Sequence, residues 1–376
     1  MEQLNLGKCS SMQRFLILQV IGPHYHQEDA LSNMAEAVLL VDTYGGLVVE
    51  KSTQHRIHPD PNTYIGSGKL EWLKTAVREQ KIDVVVINAI VNSGQLFRME
   101  RALWEVNTKI AVWDRVDLIL NIFEQHDSSV EAKLQIQLAR VKHTGPRIYG
   151  LGKTALSRQG GGIGTRGLGE TNIEIERRNI KKLQQRIEKQ IAARAHEQKN
   201  RIYERQKRGV KTVALVGYTS AGKTTLFNIL TGKEKKSHQS LFTTLDTVVG
   251  KIKLQQYIPA VLVSDTIGFI DELPPVLIQA FRSTLLESME AQVVLHVIDV
   301  SDTKMFDKIT IVEDILHELQ ATQTRIYVFN KIDLLSLEQQ KILAEKYTGK
   351  SVVFVSAKTG EGIELLKEKT EALLGR

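Results

Sequence analysis

Between residues 14 and 128, short apolar runs alternate with longer stretches of mixed polarity. R-F-L-I-L-Q-V from Arg14, A-V-L-L-V-D-T from Ala37, D-V-V-V-I-N from Asp83 and K-I-A-V-W-D from Lys109 have the length of buried strands. Between them, L-E-W-L-K-T-A-V-R-E from Leu70 and L-F-R-M-E-R-A-L-W from Leu96 read as helices. Strands separated by helices need crossover connections. Residues 1–128 are therefore predicted to form an α/β domain with a mostly parallel sheet.

From Ser129 the pattern becomes helical. Val130, Leu134, Leu138 and Val141 fall on one face, and Pro146 is expected to end that helix. Leu156 to Glu170, L-S-R-Q-G-G-G-I-G-T-R-G-L-G-E, contains six glycines with Arg158 and Arg166. Such backbone holds no single conformation cheaply, which predicts a flexible loop: either a linker or a segment that orders on a nucleic-acid or protein surface. A second helix is expected from Asn172 to Arg208, with Ile173, Ile180, Leu183 and Ile187 packing against the first. Residues 129–208 thus read as a helical hairpin, a coiled-coil linker between two domains.

Composition adds class and charge. A chain of 376 residues with 42% apolar and 25% charged residues is globular and large enough for more than one core. No apolar run is long enough to span a bilayer, and M-E-Q-L-N-L-G-K is no secretion signal, so stable membrane insertion is not expected and a cytoplasmic location is. The single cysteine, Cys9, excludes an internal disulfide framework and a multi-cysteine zinc site. The net charge is +7, yet Arg177 to Lys211 alone holds 13 Lys and Arg against 3 Glu, leaving the rest of the chain at −3. That concentration exceeds what solubility needs and favours contact with RNA over a merely solvated face.

The strand-like V-K-T-V-A-L-V from Val210 runs into G-Y-T-S-A-G-K-T, Gly217 to Thr224, and then into a helix. This is the phosphate-loop pattern in the context that supports it. Gly217 and Gly222 permit the tight loop, and the amides through Tyr218, Thr219, Ser220, Ala221 and on to Thr225 surround phosphates at a helix N-terminus. Lys223 would neutralise the β and γ phosphates, and the Thr224 hydroxyl would ligate Mg2+. Asp265 ends A-V-L-V-S-D, placed to hold Mg2+ through water, and the Gly268 amide follows for the γ-phosphate. Asn330, Lys331 and Asp333 form N-K-I-D after R-I-Y-V-F, and Ser356, Ala357 and Lys358 form S-A-K after S-V-V-F-V. The Asp333 carboxylate can accept from guanine N1–H and the exocyclic amine, which adenine does not offer, so the base is guanine. Thr243 and Thr244, in S-L-F-T-T-L-D, are candidates for the threonine that senses γ-phosphate and Mg2+. Residues 209–376 are thus a P-loop GTPase domain. By contrast Y-I-G-S-G-K, Tyr64 to Lys69, lacks both the first glycine and the final hydroxyl of the pattern and reads as a turn opening a helix.

Together with S-R-Q-G-G-G-I-G-T-R-G-L-G-E-T before a long basic helix, D-T-I-G-F-I, F-T-T-L-D and Y-I-G-S-G-K-L-E, these motifs resemble the HflX family of bacterial GTPases over nearly the whole chain. The resemblance implies an N-terminal α/β domain, a helical hairpin and a GTPase domain. It also implies hydrolysis of GTP to GDP, binding to ribosomal RNA of the large (50S) subunit, and GTP-regulated splitting or rescue of ribosomes, often under stress, by a monomer. It selects Thr244 as the Mg2+-sensing threonine and makes Lys223, Thr244 and Gly268 the catalytic set. Two classes compete with this: a signalling switch without RNA binding and an RNA-remodelling NTPase. Ser220 stands where the family usually has an asparagine that in related GTPases holds K+, which weakens the case for potassium. Thr247 replaces the usual proline, N-A-I-V-N-S-G-Q from Asn88 departs from the common pattern, and Phe269 occupies the place of a water-orienting glutamine.

Overall fold

The structure is a computed structural model that describes residues 12–23, 26–126, 129–157, 165–233, 248–252, 254, 261–265, 268 and 290–375. It divides into two compact units, residues 1–125 with 140–182, and residues 126–139 with 183–376.

The first unit is built on four parallel strands in the order β2-β1-β3-β4: β1 Arg14–Ile21, β2 Leu47–His55, β3 Val84–Ile87 and β4 Ala111–Asp114. Helices α1 Gln27–Tyr44, α2 Ser67–Glu79, α3 Ser93–Leu103 and α4 Arg115–His126 connect and follow them. Leu16, Leu18, Val85, Ile87 and Val112 bury one side of this sheet with Leu73, Val77, Leu96 and Met99. Crossovers to both sides of β1 give the parallel order that the alternating pattern predicts.

One expected strand is a helix. Ala37 to Thr43 lies inside α1, where Ala30, Met34, Ala37, Leu40 and Val41 bury a single helical face and Gly45 closes the C-terminus at φ 86°. The short apolar run is one side of a helix whose other positions are polar, an ambiguity of period that length alone does not resolve. The true neighbour of β1 is the polar L-V-V-E-K-S-T-Q-H of β2, an edge strand with no fully buried residue.

The two helices expected between residues 129 and 208 are longer than predicted. Helix α5 runs Val130–Ser157, straight through Pro146, and α6 runs Thr165–Lys207, so Gly167 and Gly169 of the expected loop are helical. A proline inside a helix costs about 3 kcal/mol and each glycine about 1 kcal/mol. Pro146 is carried by helix on both sides, and Gly167 and Gly169, in the first turns of α6, by the long helix that follows them, because only nucleation is unfavourable. Arg158 and the glycines at 160, 161, 162 and 164 lie outside the described residues, as do Cys9, Thr243, Thr244, Thr247 and Phe269. The buried face of α5 is set by Ala132, Gln135, Ile136 and Ala139 with Leu138, while Val130 is exposed. Of the expected α6 stripe, Ile187 is buried and Leu183 exposed; Gln198 and Ile202 supply further buried positions.

In the second unit a six-stranded sheet has the order β10-β9-β8-β5-β7-β6. Its strands are β5 Thr212–Gly217, β6 Val248–Ile252, β7 Val261–Asp265, β8 Val293–Asp299, β9 Thr324–Asn330 and β10 Val352–Phe354, all parallel except the β6 edge. Helices α7 Lys223–Thr231, α8 Met305–Glu318, α9 Leu337–Lys346 and α10 Ile363–Leu374 complete it. Val213, Leu215, Val263, Leu295 and Val328 form one continuous core with Phe227 and Leu366. The order reverses at β5, whose neighbours β7 and β8 part at their carboxyl ends. That crevice is where an open α/β sheet binds its ligand.

Candidate nucleotide site

Every described residue expected at the nucleotide site lies at this carboxyl edge. Gly217 ends β5 at φ 151°, where an added Cβ would stand 2.2 Å from the Val297 carbonyl oxygen on β8. Gly222 starts α7 at φ 91°, where a Cβ would stand 2.3 Å from Asn330 Nδ2. Only glycine fits either place. Ser220 between them is itself left-handed, φ 61°, and exposed. An asparagine tolerates that backbone better than a serine.

Lys223 is 6% exposed, and its Nζ donates to the carbonyls of Gly217 at 2.9 Å and Tyr218 at 2.7 Å. Burial pushes its pKa down to about 8, partly opposed by the Asp265 carboxylate. The loop's own carbonyl oxygens are thus the acceptors of a cation that phosphate oxygens would satisfy better. Thr224 Oγ1 donates to Asp265 Oδ2 at 3.0 Å, joining α7 to the end of β7. Both are hard oxygens of the kind that suits Mg2+: the Thr224 hydroxyl would hold it directly and the Asp265 carboxylate through a water. A Cβ on Gly268 would meet Thr219 Cγ2 at 2.8 Å and Lys223 Nζ at 3.1 Å, so glycine lets that backbone approach the loop. Thr225 follows in the first turn of α7.

Asn330 ties three segments together. Its Nδ2 donates to the Ala221 carbonyl at 2.8 Å, and its Oδ1 accepts from the Ala357 amide at 2.9 Å. The Ala357 amide of S-A-K is therefore given to Asn330. Ser356 Oγ donates to Asp333 Oδ1 at 2.7 Å and accepts from the Thr359 amide, which fixes an otherwise exposed carboxylate. Lys358 is exposed beside it. Lys331 is left-handed at φ 67°, and its Nζ donates to Asp299 Oδ2.

Two features escaped the sequence reading. Asp299 sits at the end of β8, a strand not anticipated, and only that strand's acidic last residue signals it. Beneath the loop, Tyr218 carries Lys308 Nζ 4.3 Å from its ring centre, and buried His296 is held below its ordinary pKa by desolvation, against the opposing effect of its hydrogen bond to the Glu313 carboxylate. In the first unit, Lys69 of Y-I-G-S-G-K donates to Ser52 Oγ and lies 3.8 Å over the Trp72 ring. Its head is committed to the sheet rather than to the turn. Asp114, Asp117 and His143 form the one group of metal-ligating type among the described residues. Asp114 and Asp117 exchange amide bonds across the start of α4, and His143 Nε2 reaches Asp114 Oδ1 at 3.1 Å from α5.

Comparison with known proteins agrees with this geometry. Residues 31–124 match the family model "GTP-binding GTPase N-terminal", 126–208 "GTP-binding GTPase Middle Region" and 212–331 "50S ribosome-binding GTPase". GTPase HflX of Caldanaerobacter subterraneus subsp. tengcongensis is 38% identical over 99% of this chain and 82% of its own length. GTPase HflX of Escherichia coli is 36% identical over 94% and 82%. A GTP-binding protein from Sulfolobus solfataricus, solved with GDP, shares the fold, with a TM-score of 0.50 at 24% identity over 97% of this chain and 99% of that one. No helix among the described residues is long and apolar enough to cross a membrane.

Proposed function

As a member of the HflX family of GTPases this chain hydrolyses GTP, and we propose that it does so as a factor of the large ribosomal subunit, splitting or rescuing ribosomes under stress. The observation that carries the reading is α6. Arg177, Arg178, Lys181, Lys182, Arg186 and Lys189 are all exposed on it, with a single fully buried apolar residue, Ile187, in the same stretch. A helix that buries so little and presents so many cations is built for a polyanion. Resemblance of residues 212–331 to a "50S ribosome-binding GTPase" supports ribosomal RNA as that polyanion.

In this reading Gly217 to Thr225 enclose the phosphates, and Lys223 exchanges its two carbonyls for phosphate oxygens. Thr224 and Thr244 would hold Mg2+ directly and Asp265 through a water, and the ion would supply charge neutralisation at the β and γ phosphates. The Gly268 amide reports the γ-phosphate. Asp333, pinned by Ser356, reads guanine, with Asn330, Lys331, Ala357 and Lys358 framing the base. The Phe269 side chain offers no amide to orient water, so hydrolysis is slow until the ribosome completes the site; partner completion of such sites is worth up to about 10⁵-fold. Light scattering of 70S ribosomes tests the function. A fall with GTP but not GDP, lost when Arg178, Lys182 and Arg186 are changed together to Glu, supports it. Intact 70S particles at saturating protein and GTP refute the splitting role.

A further inference from the structure

Lys331 is an unusual residue to leave in a left-handed conformation. Its φ of 67° is one that side chains bearing a Cβ rarely adopt, and its side chain is 35% exposed. A lysine there has four rotatable bonds and strained backbone, so without an anchor it would sample many directions. The anchor comes from another strand. Asp299 is paired in register with Asn330 across β8 and β9, which brings its carboxylate beside Lys331. Oδ2 accepts from Lys331 Nζ. Oδ1 accepts from the Ser301 amide at 2.9 Å and from Ser301 Oγ at 2.6 Å. The carboxylate is therefore fixed by the β8–α8 turn before it fixes the lysine, and its side chain is only 16% exposed.

We infer that Asp299 is a positioning residue for guanine-nucleotide binding: held by Ser301, it tethers the Lys331 ammonium so that the lysine stem is set across the base slot before nucleotide arrives. The inference rests on the proposed placement of Lys331 among the residues that frame the base, and takes its stem to lie over the guanine plane. The tether acts at the base end of the nucleotide. It therefore strengthens GTP and GDP binding alike, leaves turnover at saturation unchanged, and leaves guanine-over-adenine discrimination to Asp333. Loss of a charge-assisted hydrogen bond of this kind amounts to about a tenfold change in affinity.

The test is a double-mutant cycle on the full chain, reading dissociation constants of fluorescent GDP and a GTP analogue. Asp299→Asn weakens both about tenfold, chiefly through faster dissociation, with kcat and the GTP-to-ATP preference retained. In a Lys331→Ala background the same change has less than a twofold effect, because the group it acts through is gone. Asp299→Glu, which keeps the charge on a longer arm, recovers much of the loss and covers the case in which Asp299→Asn folds poorly. Wild-type affinity in Asp299→Asn overturns the inference, as does a tenfold loss that persists in the Lys331→Ala background, which marks a structural role of the turn. Wild-type GDP affinity in Lys331→Ala is a different failure, overturning the reading of Lys331 itself and the inference with it.

Discussion

The buried Lys223 makes nucleotide affinity depend on pH in a range where an ordinary lysine stays fully charged. Its pKa, about 8 against an ordinary 10.5, sets roughly 3 kcal/mol against the charged form in the nucleotide-free protein. The unfolded chain keeps the ordinary value. Between pH 8 and 10.5 the unfolded state therefore binds more protons than the folded state, and the nucleotide-free fold gains stability as pH rises through that window. Phosphate oxygens reverse the balance. With an anion in place of the Gly217 and Tyr218 carbonyls the ammonium is favoured, so binding above pH 8 takes up a proton. Affinity then follows the protonated fraction of the free protein and falls about tenfold between pH 7 and pH 9. Stopped-flow binding of fluorescent GDP across that range, beside Lys223→Ala, isolates the effect. Ionisation of the guanine base near the top of the window weakens both proteins equally. The variant binds weakly throughout but without the lysine's slope. A wild-type profile parallel to that of Lys223→Ala would refute the assignment of the proton to this residue.

Further outcomes follow from the same site. Asn330→Ala removes the partner of the Ala221 carbonyl and of the Ala357 amide. Leaving two buried groups unsatisfied costs about 2–4 kcal/mol, which calorimetry without nucleotide reads as a lower melting temperature and equilibrium binding as at least a thirtyfold weaker GDP complex. Turnover in this chain is expected to be the same in K+ and Na+, and Ser220→Asn, which suits the left-handed backbone there, to make the two rates differ. Equal rates in the variant would remove potassium from the account of this position.

Much of the site was legible because its chemistry is local. Gly217 to Thr224 is one uninterrupted stretch whose glycines are required by φ values and close approaches, and N-K-I-D and S-A-K each follow a buried strand. The sheet order and the Asn330 bridge between loops are long-range, and nothing in the separate segments announces them. Asp299 was missed for that reason: its role appears only when β8 is placed against β9 in register. Errors in the first domain have a different cause. Ala37 to Thr43 satisfies a short strand and one face of a helix equally well, and β2 was invisible because an edge strand need not be apolar. The continuation of α5 through Pro146 and of α6 through Gly167 and Gly169 shows cooperative helix propagation outweighing local propensity.

The central claim is that GTP turns this chain into a ligand of the large ribosomal subunit. Sedimentation of the full chain with purified 50S subunits, in GDP and in a non-hydrolysable GTP analogue, addresses it directly. The account predicts stoichiometric co-sedimentation with the analogue, weak binding with GDP, and a steep loss of binding as salt is raised. Failure to co-sediment with the analogue at low salt, or equal binding in both nucleotides, would contradict it.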